Sequence, residues 1–167
     1  MSGPAPRAVV LSVSSSRAEG SGEDDVGGAE LERWAAEALG AEVVARELVP
    51  DVRALIEDRI KHFADAGLGD IVLTTGGTGF APDDVTPEAT LAVADRLAPG
   101  IAEAMRLASR DHTPHWMLSR NAAVIRGSTL VVNFPGSPKA IGEAGAAIAE
   151  ALPHALRLLV GERDAHH

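Results

Sequence analysis

The chain contains no cysteine and no tyrosine, and aromatic residues make up only 3% of it. Without thiols there is no disulfide, no thiolate nucleophile and no cysteine zinc site, so the reducing cytoplasm is the expected compartment. Scarce aromatics leave little surface on which single-stranded nucleic acid could stack. Basic residues are also outnumbered, 15 against 24 acidic, giving a formal net charge of -9. Such a field repels nucleic acid unless the arginines gather on one face, and the sequence shows no such gathering. Long apolar runs are missing too. No stretch reaches the roughly 20 residues a membrane span needs, and residues 1–7 lack the charged-then-apolar order of a secretion signal. Neither secretion nor membrane insertion is expected.

What is present suits one compact α/β domain: 46% of the 167 residues are hydrophobic, enough to fill a single core. The expected domain covers 7–161, between flexible ends at 1–6 and 162–167. Residues 7–13 form an apolar β-branched run that fits a strand buried on both faces. Residues 18–28 mix Gly, Ser, Glu and Asp and read as a loop at its carboxyl end. Apolar residues at three and four spacing predict a helix over 29–39, which Gly40 stops. A second strand over 42–49 leads to Pro50 and Asp51, which open a helix carrying Leu55, Ile56, Ile60 and Phe63 on one face.

Another buried strand at 71–74 delivers Thr75, Gly76, Gly77, Thr78 and Gly79. This alternation of strand and helix argues for crossover connections and a mostly parallel sheet. Thr86 and Pro87 predict a helix to about Arg96, capped by Thr86. Pro99 and Gly100 break it before a further helix to about Arg110. Residues 122–125 and 129–133 read as a hairpin, making one sheet edge antiparallel. A Pro-Gly turn then enters one long last helix ending near Val160.

The glycine turn directly follows a buried strand, where converging backbone N–H groups suit a phosphate. It lacks the Gly-Lys-Ser/Thr of a nucleotide P-loop and does not open a helix as a dinucleotide fingerprint does. Asp51 and Asp84 fall in strand-to-helix connections that meet at one sheet edge, where carboxylates hold Mg²⁺ against phosphates. For Asp51 an N-cap role stands as the alternative. Ser119 and Arg120, and the segment Pro135, Gly136, Ser137, Pro138 and Lys139, offer further anion contacts through a helix start and full positive charges. His112 and His115 match no zinc-site spacing, and no Ser-His-Asp order is evident.

Taken together, Thr74-Thr75-Gly76-Gly77-Thr78-Gly79, Asp84-Val85-Thr86-Pro87-Glu88-Ala89-Thr90, Leu118-Ser119-Arg120 and Pro135-Gly136-Ser137-Pro138-Lys139 resemble the MogA/MoaB family of molybdenum cofactor biosynthesis, related to the gephyrin G domain. The resemblance covers nearly the whole chain. It implies a three-layer α/β/α molybdopterin-binding fold, mostly parallel with an antiparallel edge hairpin. It also implies Mg²⁺-dependent transfer of AMP from ATP to the terminal phosphate of molybdopterin, a homotrimer, and hand-over of product to a MoeA-type metal insertase. Asp51 and Asp84 match the family's two functional acids and the metal-holding positions. The implied substrate and nucleotide contacts are Thr75, Gly76, Gly77, Thr78, Gly79, Ser14, Asp25, Ser119, Arg120, Pro135, Gly136 and Ser137. Two departures stand out: Ser16 where many members carry Asp, and Asp83 where a basic residue is common. A protein of this fold that binds molybdopterin without adenylylating it, or that serves as a scaffold, remains the alternative.

Overall fold

The computed structural model describes residues 3–162. Along the chain run β1 (Arg7–Val13), a short helix α1 (Ser15–Ala18), α2 (Val26–Leu39), β2 (Glu42–Val49), α3 (Arg53–Asp65) and β3 (Ile71–Thr75). After them come α4 (Thr86–Ala92), β4 (Arg96–Leu97), α5 (Pro99–Ser109), a 3-10 turn at Trp116–Leu118, β5 (Ala123–Arg126), β6 (Thr129–Phe134), α6 (Pro138–Ile148) and α7 (Leu152–Leu159). The strands form one sheet in the order β2-β1-β3-β6-β5-β4. Neighbours from β2 to β6 are parallel, and β5 and β4 complete the edge in antiparallel fashion.

Side chains of a strand alternate between faces, so a run apolar at every position needs cover on both sides. In β1, Ala8 and Val10 join Leu31, Trp34, Phe134 and Ile141 in one core, while Val9, Leu11 and Val13 join Ile56, Ile60 and Phe63 in the other. Helices α2, α5, α6 and α7 supply the first layer, and α3 and α4 the second. Each fully buried aliphatic side chain contributes about 1.5–3 kcal/mol relative to exposure. One polar node crosses this interior. Asn133, fully buried, donates through Nδ2 to the hydroxyls of Thr74 (3.0 Å) and Thr90 (2.9 Å) and accepts from the Ala122 N–H (3.0 Å).

The three-layer architecture, the parallel sheet and the hairpin agree with the expectation, and several boundaries do not. The expected loop over 18–28 yields to helix at both ends: α1 reaches Ala18, and α2 starts at Val26 with Asp25 as its N-cap. Asp51 does not cap α3, which begins two residues later behind Val52. Thr86 is the first helical residue of α4 rather than its cap, and α4 stops at Ala92, leaving Arg96 and Leu97 to pair with β5. Pro99 and Gly100 open α5 instead of interrupting a helix. The last helix is two helices, since Pro153 lacks an N–H and crowds the carbonyl four residues back. The expected tail's final residues, His166 and His167 among them, lie outside the described residues.

Candidate active site

Parallel strands in matched register deliver their following loops to one rim. Val13 pairs with Val49, Ser12 with Thr75, and Thr75 with Phe134. The chain beyond β1, β2, β3 and β6 therefore emerges side by side, carrying Ser14, Asp51, Gly76 and Gly136. These loops meet backbone to backbone. A Cβ on Gly76 would lie 2.5 Å from the Val13 carbonyl oxygen, and one on Gly27 would lie 2.9 Å from that of Gly136. Thr75 Oγ1 ties β3 to the loop after β6 by donating to the Pro135 carbonyl (2.7 Å). Gly76 and Gly77 hold φ of +94° and +69°, a left-handed path that costs other residues about 1–2 kcal/mol each.

Both acids stand against this turn. Asp51 Oδ2 accepts from the Ser15 N–H, and the Asp51 N–H donates to Ser15 Oγ, both at 2.8 Å. That reciprocal pair draws the carboxylate away from α3 and toward the rim. Its Oδ1 lies 3.3 Å from the point a Gly77 Cβ would take and accepts no hydrogen bond from the described residues. Asp84 Oδ2 accepts from the Ala81 N–H (3.0 Å) and stands 2.8 Å from the corresponding point on Gly79. Against Gly77 as well, Thr86 Oγ1 is a buried hydroxyl without a partner, 2.3 Å from the Gly77 Cβ point.

Arg120 locks the turn to the acidic loop. Its backbone N–H donates to the Thr78 carbonyl (2.9 Å), Nε to that of Gly79 (2.8 Å) and Nη2 to that of Asp84 (2.8 Å). Nη1 pairs with Glu88. The hydrogen bond from Arg120 is the main reason the Glu88 carboxyl lies below its ordinary value, with burial opposing it and the Arg120 charge adding a smaller part. This guanidinium is thus engaged on every side by protein groups.

The other expected residues divide into two groups. Ser14, Asp25 and Gly136 line a hollow of about 30 Å³ beside Gly76, together with Arg17 and Gly27. Within it, Asp25 is occupied: Oδ1 accepts from the Gly28 N–H (3.0 Å), and Oδ2 from Ser12 Oγ (2.7 Å) and Arg46 Nη2 (3.3 Å). Ser119 and Pro135 instead line a neighbouring cavity of about 130 Å³ with Arg106 and Trp116. Ser137 Oγ caps α6 through the Ala140 N–H (3.3 Å), while Lys139 is 87% exposed. His112 approaches Glu143 at 3.4 Å and His115 lines the larger cavity, so the two serve different surroundings. No cluster of three or more His, Asp or Glu side chains suited to a metal exists among the described residues.

Arg17, Arg106 and Trp116 are at the site without having been singled out from sequence, and Thr86 was read there only as a helix cap. Arg17 had a signal, as the first cation after β1. Arg106 and Trp116 had none, because a helix face and an irregular loop reveal their partners only when folded.

Such a rim, with a glycine turn between two carboxylates and a cavity on either side of the loop after β6, defines a ligand site at the carboxyl edge of a parallel sheet. Residues 9–154 match the family model described as probable molybdopterin binding domain, and the chain belongs to that family. A molybdopterin adenylyltransferase of Haemophilus influenzae is 46% identical over 130 residues, which cover 77% of this chain and 66% of that protein. One of Helicobacter pylori is 40% identical over 152 residues, covering 91% and 86% respectively. Among solved structures, the molybdopterin biosynthesis enzyme MoaB of Thermus thermophilus superposes with a TM-score of 0.87 at 43% identity, over 94% of this chain and 98% of that one.

Proposed function

We propose that this chain transfers AMP from ATP to the terminal phosphate of molybdopterin and releases pyrophosphate, a step in molybdenum cofactor biosynthesis. Family membership and relatives named for this activity support the reading. The observation that carries it is the placement of Asp51 against Gly77 and Asp84 against Gly79, two positions of one turn.

A phosphate monoester with a second pKa near about 6 is mostly dianionic at neutral pH and needs no general base. An oxygen of that phosphate attacks the α-phosphorus of ATP, the new O–P bond forms, and the bond from the α-phosphorus to the bridging oxygen breaks with pyrophosphate as the leaving group. What the protein supplies is alignment of two anions that repel each other. In this reading the N–H groups of the turn from Gly76 to Gly79, the Ser14 hydroxyl and Arg17 would receive phosphate oxygens, and Ser119 would meet the pterin half.

Mg²⁺ fits the residues present. One oxygen of each carboxylate, Asp51 Oδ1 and Asp84 Oδ1, accepts no hydrogen bond from the described residues, and Thr86 offers an orphaned hydroxyl in the cradle that a Gly77 Cβ would fill. A hard cation held by one or two carboxylates plus phosphates would offset charge on the departing pyrophosphate. The reading includes a cytoplasmic setting, a homotrimer and hand-over to a MoeA-type insertase. Exposed Phe80, Leu97 and Met117 supply apolar surface for such contacts, and no described helix is long and apolar enough to cross a membrane.

The test is pyrophosphate release with ATP, Mg²⁺ and molybdopterin. Asp51→Ala and Asp84→Ala should each lower the rate by about 100-fold or more, roughly 2.7 kcal/mol of transition-state stabilisation. A loss within about threefold would remove the acids from the chemistry. Pterin retention by the unaltered chain without pyrophosphate release would identify a binder instead.

A further inference from the structure

The larger cavity holds a cation that the adenylyl-transfer reading does not use. Arg106, on α5, spends Nη1 on Asn121, donating to its carbonyl (2.8 Å) and to its side-chain Oδ1 (2.7 Å). Its Nε and Nη2 donate to no group among the described residues. Ser119 Oγ gives its proton to the same Asn121 Oδ1 (3.1 Å), which leaves the hydroxyl only lone pairs to offer. Asn121 is 5% exposed and its Nδ2 points to Met105 Sδ (3.6 Å), so it fixes its two neighbours and is itself spent. Around these polar atoms the cavity is walled by Met105, Trp116, Pro135 and Ala144.

A flat ring would fit against the half-exposed Trp116 indole, and its edge would meet unspent guanidinium donors and a hydroxyl acceptor. A 2-amino-4-oxo pteridine supplies the complement, an oxo acceptor beside an amino donor. Adenine carries an exocyclic amine where the oxo group would be, and turns that donor toward a permanent cation. Sites built around hydrogen bonds discriminate strongly when a partner is missing, because the buried polar group is left unpaired.

Within the pterin half that the proposed reading already seats beside Ser119, we infer that Arg106, backed by Trp116, is the residue that selects the pteridine edge and refuses the adenine of ATP. The inference rests on the adenylyl-transfer reading for the identity of the two substrates. Arg106 acts directly on the ring edge, while Asn121 positions it.

Equilibrium dialysis with two phosphate-bearing probes, neopterin monophosphate and AMP, tests this on the full chain. Arg106→Met should weaken neopterin monophosphate by tenfold or more while AMP changes by less than twofold. Arg106→Lys should recover only part of the loss, because an ammonium is a point charge without the planar fork. Since Arg106→Met also cuts the tie to Asn121, Trp116→Ala serves as a second variant from the opposite wall, with the same expected pattern. Unchanged pterin affinity in both variants, or an equal loss of AMP affinity, overturns the assignment. Selective pterin loss without any AMP transfer by the unaltered chain upholds the ring assignment and sinks the enzyme reading. Normal transfer with an unshifted KM for molybdopterin in Arg106→Met does the reverse.

Discussion

Replacing Gly77 by alanine puts a methyl group where the backbone and the acid site both exclude it. At φ +69° the new residue must hold a left-handed conformation, a cost of about 1–2 kcal/mol. The added Cβ would also come 2.3 Å from Thr86 Oγ1 and 3.3 Å from Thr86 Cβ. Thr86 is fully buried and β-branched, so it has little freedom to rotate aside. Overpacking of this kind costs about 1–3 kcal/mol, for a combined loss of roughly 2–5 kcal/mol. Gly127, in the hairpin turn at φ +58°, has nothing within 4 Å of its Cβ point. Gly127→Ala therefore bears the backbone cost alone, about 1–2 kcal/mol. Urea unfolding of both variants isolates the clash as their difference, expected at about 1–3 kcal/mol. Equal losses with unchanged m-values would refute the claim that Thr86 and Asp51 crowd this turn. Gly77→Ala should also lose adenylyl transfer, because Asp51 Oδ1 lies 3.3 Å from the same point.

Asn133→Ala leaves Thr74, Thr90 and the Ala122 N–H without their shared partner, and should cost about 2–4 kcal/mol in urea unfolding. Gly145→Ala on α6 would bring a Cβ to 2.3 Å from Trp34 Nε1; a loss of about 1–3 kcal/mol with a shift in tryptophan emission is expected. The Glu88 carboxyl is lowered chiefly by its hydrogen bond from Arg120, so its stabilisation is complete above the unfolded value near about 4.3 and is lost as pH falls through the folded value. With side chains 40% and 33% exposed, the pair contributes at most about 1 kcal/mol. Glu88→Gln should flatten the acid limb of stability below about pH 4.3 and leave neutral stability within about 1 kcal/mol.

Most of the architecture was legible because it rests on periodicity. The buried runs at Ala8 to Val13 and Ile71 to Thr74 need two covered faces, and the helices between them show their apolar stripes openly. Glycine and proline caused the errors, since each is both a breaker and a helix opener. Gly27 and Gly28 read as loop, yet they lie in the first turn of α2, where larger residues would strike the Gly136 carbonyl, Ser12 and Asp25. Pro99 read as a stop and is a start, and Pro153, overlooked within an Ala-rich segment, splits the last helix. At the site, the glycine turn and its flanking acids could be read from their order in the chain. Asp51 was open between capping and the rim because no local pattern announces Ser15, 36 residues away, as its partner. Arg106 was invisible for the same reason: its meaning lies in Asn121 and in an empty guanidinium edge.

The Arg120 side chain has a consequence for affinity. One guanidinium grips the Gly79 carbonyl, the Asp84 carbonyl and Glu88 at once, so three stretches of chain are immobilised together as the protein folds. The entropy lost in ordering the acid-bearing loop is therefore settled before any substrate arrives, and binding free energy that a loose loop would consume stays available for alignment of the two anions.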